Sequence, residues 1–332
     1  MNIKFIILVV VLTAVALFFA ISSDKQTPPD IPTTAQVTTT KAPEKKPEKT
    51  ESTQPTSDES ETVAATVPGD KFKVSAPNAG LYNLSDNMVL YEKNAEKKIA
   101  PASLTKILTA ITALTYMDAD EVITVGTELD LVPKGSSLCL ISKGHRLTLK
   151  DLMKGMLLAS GNDAAYTIAV NVGRHVMDKP KASDKEALAH FIGLMNSLAK
   201  TIGCTDSNFT TPDGSDSEGQ YTTVEELALI CNHAYNFRTI REVVAIAKTN
   251  VVFESGQHIT WSTTNKLMHE GSEFYLPGVV GIKTGTTALA GSCLIAVAEI
   301  DGQLYLSIVA GCKDDSARYK TTKKLLAYPT SM

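Results

Sequence analysis

Pro101-Ala102-Ser103-Leu104-Thr105-Lys106 organises the reading of this chain, because Ser160-Gly161-Asn162 and Lys283-Thr284-Gly285 follow it in that order. A serine three residues ahead of a lysine lies one helical turn from it, so the amine reaches the hydroxyl. Apolar residues at Leu104, Ile107, Leu108, Ile111 and Leu114 have the spacing of a helix face and predict a helix over residues 103–117. Ser103 then sits in the first turn, among free N–H groups and at the positive end of the helix dipole. Each short motif alone is weak. Ser-x-x-Lys recurs at Ser22 and Lys25 and at Ser197 and Lys200, and a literal Ser-Asp-Asn stands at Ser85-Asp86-Asn87, ahead of Ser103. The ordered set carries the argument, with Ser103, Ser160 and Lys283 separated by 57 and 123 residues.

Outward from these motifs, the 332 residues divide by composition. Residues 5–21 are apolar apart from Thr13, after a single early lysine, Lys4. Residues 1–22 therefore read as a secretory signal peptide, with small residues near Ala20-Ile21-Ser22, or as a short membrane anchor if uncleaved. Residues 23–70 contain no Leu, Met, Phe, Tyr or Trp and hold seven of the 14 prolines. Such a segment has too little apolar surface to form a core and reads as a solvated stalk. Residues 71–332 remain for one large catalytic domain. The net charge of −4 points to no polyanionic partner and to no nucleic acid. Five cysteines, Cys139, Cys204, Cys231, Cys293 and Cys312, lie mostly in apolar surroundings and read as small buried hydrophobes, although one pair remains open. The sequence has no Cys-x-x-Cys and no His-Glu-x-x-His, so neither a metal nor a cofactor is expected.

The pattern of the folded part is mixed α/β. Residues 81–92 alternate and predict a hairpin, interrupted at 83–87. Residues 122–140 read as short strands and turns. Residues 149–160, 162–172, 185–202 and 223–236 read as helices, the last with a threonine cap and an acidic first turn. Ser160 and Asn162 then fall in a break between two helices, where a loop aims side chains into a cleft. Residues 279–284, 292–300 and 304–310 read as strands, with Asp301-Gly302 as a hairpin turn and a closing helix over 316–327. The plan is an antiparallel sheet built from both ends of the folded part, with a helical lobe inserted between them.

The chemistry expected at the three motifs is acyl transfer by a serine whose base is a lysine. An amine accepts a proton only when neutral, and its ordinary pKa is about 10.4. Burial lowers that value, and so does a second cation, for which Lys283 is the candidate beside Lys106. The six histidines are scattered and none falls in a triad motif.

With their local contexts, the motifs resemble the D-alanyl-D-alanine carboxypeptidases, the low-molecular-mass penicillin-binding proteins. The resemblance covers residues 80–310 and includes residues 101–109, 160–165, 209–214, 221–227 and 281–291. It implies the β-lactamase/DD-peptidase-like fold, an antiparallel five-stranded sheet flanked by helices plus a helical lobe. It also implies Ser103 as nucleophile, Lys106 as base, and Ser160, Asn162 and Lys283 as a proton and hydrogen-bond network. Thr284 and Gly285 would face the substrate, with the N–H groups of Ser103 and Thr286 as the oxyanion hole. The implied partners are peptidoglycan stem peptides and, as covalent inhibitors, β-lactam antibiotics. The implied location is the outer face of the cell membrane or the cell wall. Some relatives carry an arginine upstream of Lys-Thr-Gly that binds the substrate carboxylate; here the region 262–266 offers Thr264 and Lys266, and which group holds the carboxylate stays open. The same site serves a DD-endopeptidase that cuts cross-links, which is the alternative. A β-lactamase is disfavoured because no Glu-x-x-Leu-Asn segment lies between Asn162 and Lys283. A non-hydrolytic penicillin sensor is disfavoured because only four residues precede Phe5.

Overall fold

Residues 293–298 form an unbroken apolar run because strand β8 (Gly291–Ile300) is covered on both faces. Side chains alternate along a strand, so Cys293, Ile295 and Val297 enter one core while Leu294, Ala296 and Ala298 enter another. β8 returns through Asp301 and Gly302, at φ +49° and +77°, into β9 (Gln303–Cys312). Two consecutive positive φ values give the twist that suits a two-residue hairpin. β7 (Val279–Thr287) pairs with the other side of β8. The N-terminal hairpin of β1 (Asn78–Asn83) and β2 (Met88–Lys93) joins through β1 to β9. The result is a five-stranded antiparallel sheet in the order β2-β1-β9-β8-β7, with β7 at an edge. Each of the expected strands and hairpins of this sheet is present.

The computed structural model describes residues 72–331. All of them lie in one unit of the chain, Thr62–Met332. The leader and stalk expected over residues 1–70, and the Ser22/Lys25 match, lie outside the described residues. Among the described residues no helix is long and apolar enough to cross a membrane.

Between the two sets of sheet strands runs the helical lobe. It comprises α1 (Lys106–Tyr116), the short pair β3 (Val122–Thr124) and β4 (Arg146–Thr148), α2 (Leu149–Leu157), α3 (Asn162–Val176), α4 (Asp184–Ile202), α5 (Val224–Ala234) and α6 (Arg238–Val244). A further hairpin, β5 (Lys248–Val252) with β6 (His258–Ser262), leads back to β7. The closing helix α7 (Asp315–Leu326) covers the sheet face opposite the lobe. Helix starts follow the expected chemistry: the Thr148 hydroxyl accepts from the Asp151 N–H and the Thr223 hydroxyl from the Glu226 N–H. The five cysteines are buried and unpaired. Ser85-Asp86-Asn87 lies in the β1–β2 turn, where the Asn83 side chain accepts from the Ser85 and Asp86 N–H groups. The decoy Ser197 sits exposed on α4 and bonds its own helix at Gly193.

α1 is the centre of the lobe. It is buried from Lys106 to Ala113, so it is enclosed all round instead of facing the core on one stripe. Fully burying Ile107, Leu108 and Ile111 contributes about 1.5–3 kcal/mol each, which helps offset the cost of taking lysine amines out of water. The segment ahead of it differs from expectation. Ala102–Thr105 is a 3₁₀ turn, and the α-helix begins only at Lys106. The reason is crowding from two sides. Ala102 has φ +48°; a side chain at Gly214 would strike its carbonyl oxygen, and one at Gly285 would come within 3.1 Å of the Ser103 nitrogen. Two glycines thus let a loop and strand β7 press against the turn that carries Ser103.

Candidate active site

Lys106 has no exposed surface. Its Nζ lies 2.8 Å from Ser103 Oγ, 2.7 Å from Asn162 Oδ1 and 2.9 Å from the Asp213 carbonyl oxygen. These three partners define what the amine can do. The two carbonyl oxygens only accept, so each takes one N–H. A neutral amine then has its lone pair left, and the one partner with a proton to give is the Ser103 hydroxyl. Burial lowers the Lys106 amine to about 8, against the opposing pull of the Asp213, Asp163 and Cys139 side chains.

Asn162 is held at the first residue of α3, after a sharp reversal from α2. Ser160 makes the reversal at φ +60°, and Gly161 packs so tightly that a side chain there would meet Cys139. The neighbouring loop is fixed from beneath. The Asp163 carboxylate accepts from the N–H groups of Cys139, Ile141 and Ala164, and Trp261 Nε1 donates to the Cys139 carbonyl at 2.8 Å. The Asn162 N–H donates to Ser137 O at 2.8 Å. On its other side Asn162 Nδ2 donates to the Asp213 carboxylate, which also accepts from Ser215 Oγ. Ser160 is nearly buried beside Asn162, yet among the described residues no hydrogen bond joins it to Lys106 or Lys283.

The edge strand β7 supplies the opposite wall. Lys283 is buried, and its Nζ donates to the Thr284 carbonyl at 2.9 Å. Burial, and then the charges of Lys106 and Arg318, push this amine well below the ordinary lysine value. The repulsion between the two amines acts on both, and each charge favours the neutral form of the other. Lys283 has Lys106 and Arg318 near it, whereas the Asp213 and Asp163 carboxylates oppose the lowering of Lys106. Thr284 and Thr264 share a hydrogen bond of 2.6 Å between their hydroxyls. Thr286 is exposed and its hydroxyl donates to the Gly285 carbonyl at 2.8 Å. Lys266 is drawn away to Asp315 at 2.7 Å.

Three residues here went unassigned from sequence. Asp213 belongs to the segment 209–214, whose only local signal is an Asp-Gly turn, and it meets Lys106 across 107 positions of chain. Asp163 adjoins Asn162 and gave no signal beyond that. Arg318 lies on α7, nearly buried. Its Nη1 is 3.1 Å from the Gly285 carbonyl, the Thr286 hydroxyl and the Cys293 carbonyl, and its Nη2 pairs with Asp315. It brings a guanidinium, charged at every working pH, to the wall beside Lys106 and Lys283. Among the described residues no group of three or more His, Cys, Asp or Glu side chains could hold a metal ion. The assembled geometry suits one chemistry: attack by the Ser103 hydroxyl, with its proton passed to Lys106.

Comparison with known proteins follows the same line. Residues 61–314 match the family model described as D-alanyl-D-alanine carboxypeptidase. The chain is 33% identical over 257 residues to the D-alanyl-D-alanine carboxypeptidase DacC of Escherichia coli, covering 75% of this chain and 59% of that protein. The crystal structure of the Streptomyces K15 DD-transpeptidase superimposes with a TM-score of 0.71 at 26% identity, over 80% of this chain and 100% of that one. The ampicillin-bound penicillin-binding protein D2 of Listeria monocytogenes gives 0.62 at 27% identity, over 77% and 98% of the two chains. The chain spans about three-fifths of the length of two of the curated relatives it matches, 59% of DacC and 62% of the Bacillus subtilis carboxypeptidase DacF, and 88% of the Streptomyces K15 carboxypeptidase.

Proposed function

This chain belongs to the D-alanyl-D-alanine carboxypeptidase family, and on that premise we propose that it removes the terminal D-alanine from peptidoglycan stem pentapeptides through an acyl-enzyme on Ser103. The observation that carries the reading is the environment of Lys106. Its two N–H groups are claimed by pure acceptors, so its lone pair is directed at the Ser103 hydroxyl.

In the proposed reaction Ser103 Oγ attacks the carbonyl carbon of the penultimate D-alanine, and its proton passes to Lys106. The oxyanion is received by the backbone N–H groups of Ser103 and Thr286, each such donor being worth about 3–4 kcal/mol in the transition state. Collapse breaks the C–N bond, and the proton moves to the departing amine of D-alanine. Water then cleaves the ester and restores the Ser103 hydroxyl. Thr284, with Thr264 behind it, receives the terminal carboxylate. Lys283, lining the wall beside Gly285, donates hydrogen bonds to the substrate, and Ser160 joins Lys106 and Lys283 once substrate fills the cleft. A β-lactam acylates the same hydroxyl through its strained amide. The site works outside the cytoplasm, on the wall, with residues 1–22 as signal peptide or anchor and residues 23–70 as the stalk.

The test is incubation of residues 71–332 with purified pentapeptide monomers and cross-linked dimers, read by mass spectrometry. Loss of one alanine from the monomer, abolished in Ser103→Ala, is the expected result. Splitting of dimers with no alanine loss would replace the carboxypeptidase reading with an endopeptidase one.

A further inference from the structure

We infer that Asp213 is a positioning residue for acylation: its carboxylate holds the Asn162 amide with the carbonyl oxygen turned toward Lys106. The inference rests on the serine–lysine reading of the site. A side-chain amide has two orientations of nearly equal shape and opposite hydrogen-bonding character. In one, Asn162 offers Lys106 an acceptor. In the other it offers a donor, and a neutral Lys106 would then turn its lone pair toward Asn162 and away from Ser103. The base would be lost with no atom displaced by more than a flip of the amide.

The surroundings of Asn162 choose between the two. The Asp213 carboxylate only accepts, and it faces the Asn162 amide from the side opposite Lys106. Nδ2 must therefore turn to Asp213 and Oδ1 to Lys106. Asp213 is itself fixed. It is 1% exposed, its Oδ1 accepts from the Ser215 N–H at 3.2 Å, and its Oδ2 accepts from Ser215 Oγ. Its backbone carbonyl takes the second N–H of Lys106 at 2.9 Å. One residue thus dictates both N–H directions of the base, one directly through its carbonyl and the other through Asn162. Gly214 follows at φ +84°, closed against Ala102, so the loop cannot retreat from the turn that carries Ser103.

The ionisable groups facing the Lys106 amine are Asp213 from this loop, Asp163 from α3, Cys139 from the adjoining loop and Lys283 from β7. Asp163 is committed to three backbone N–H groups. Asp213 is the foremost charge favouring the protonated amine. Removing its charge should therefore make Lys106 neutral at lower pH.

The experiment follows acylation by a fluorescent penicillin from pH 5 to 10 in Asp213→Asn, Asp213→Ala, Asn162→Ala and the Asp213→Ala/Asn162→Ala double variant. Melting temperatures check the fold. Asp213→Asn keeps the volume and an acceptor, and its acid limb should move to lower pH, which a purely structural role would not produce. Asp213→Ala frees the amide to flip and should slow the plateau rate about ten- to a hundredfold, the effect of losing a charge-assisted hydrogen bond. The double variant should be no slower than Asn162→Ala alone, because Asp213 acts through Asn162. An unmoved limb in Asp213→Asn overturns the inference, as does a double variant slowed by both factors multiplied. Ser103→Ala separates the two levels: if it still labels, the serine–lysine reading has failed, and if it does not, a failed Asp213 result falls on the inference alone.

Discussion

The pH dependence of acylation is the sharpest consequence of burying Lys106. The amine is lowered from 10.5 to about 8, chiefly by desolvation. Only the neutral amine accepts the Ser103 proton, so the rate follows its fraction: about 1% at pH 6, 9% at pH 7, half at pH 8 and 90% at pH 9. Acylation should then climb about tenfold from pH 6 to 7, about fivefold from 7 to 8 and less than about twofold from 8 to 9, where it levels off. A lysine at its ordinary value would behave differently, gaining about tenfold per unit through pH 9 and reaching no plateau before about pH 10. The assay is stopped-flow labelling with a fluorescent penicillin under second-order conditions, with intact-mass readout of the acyl-enzyme at each pH. Lys106→Arg provides the control, since a guanidinium stays charged throughout and cannot serve as the base. A rate that is flat from pH 6 to 8, or that keeps rising tenfold per unit above pH 9, would refute the argument that a desolvated Lys106 is the base.

Lys283→Met should raise stability and lower acylation together, because it removes a buried amine that bonds only the Thr284 carbonyl and is opposed by Lys106 and Arg318. A gain of about 1 kcal/mol corresponds to about 2–4 °C in melting temperature. The sign follows from linkage: Lys283 is depressed in the folded state, so the unfolded chain binds more protons, and the wild type loses stability as pH falls below 10.5. The advantage of Met should accordingly be larger at pH 6 than at pH 10. Gly214→Ala should cost about 1–3 kcal/mol and impair acylation, since its side chain meets Ala102 and Thr105 at φ +84°. Gly256→Ala, at φ +92° with open space around it, should cost only about 1–2 kcal/mol and leave acylation intact. Removing residues 1–70 should give a folded, active domain, because residues 23–70 carry too little apolar surface to form a core and Phe72 packs against Tyr91 and Tyr328; a truncated chain that circular dichroism finds unfolded would overturn the boundary near residue 71.

What the sequence could and could not disclose follows from the range of each interaction. Ser103 and Lys106 were legible because one helical turn joins them. β8 and β9 were legible because their apolar runs and an Asp-Gly turn are local signals. β5 and β6 were missed because each is only five residues long and mostly exposed: β5 turns one apolar residue, Val251, inward, and β6 alternates over just two, Ile259 and Trp261. α1 was read as a one-sided helix from its large apolar residues, yet Thr109, Ala110, Thr112 and Ala113 are also buried. Small residues carry little hydrophobic signal, and they are what allows neighbouring elements to close around the helix and desolvate Lys106. The same logic governs the groups around the amine. Motif spacing placed Asn162 and Lys283 near the serine but could not show which carboxylates and cations lie closest to each amine, because that depends on the packing of distant segments. Asp213 and Asp163 face Lys106, while Lys106 and Arg318 face Lys283, so two lysines of one motif set end up with different burdens. Arg318 illustrates the limit most plainly: it reaches the wall of the site from the far face of the sheet, 33 residues beyond Gly285, and nothing in the spacing of the closing helix distinguishes it from the lysines around it.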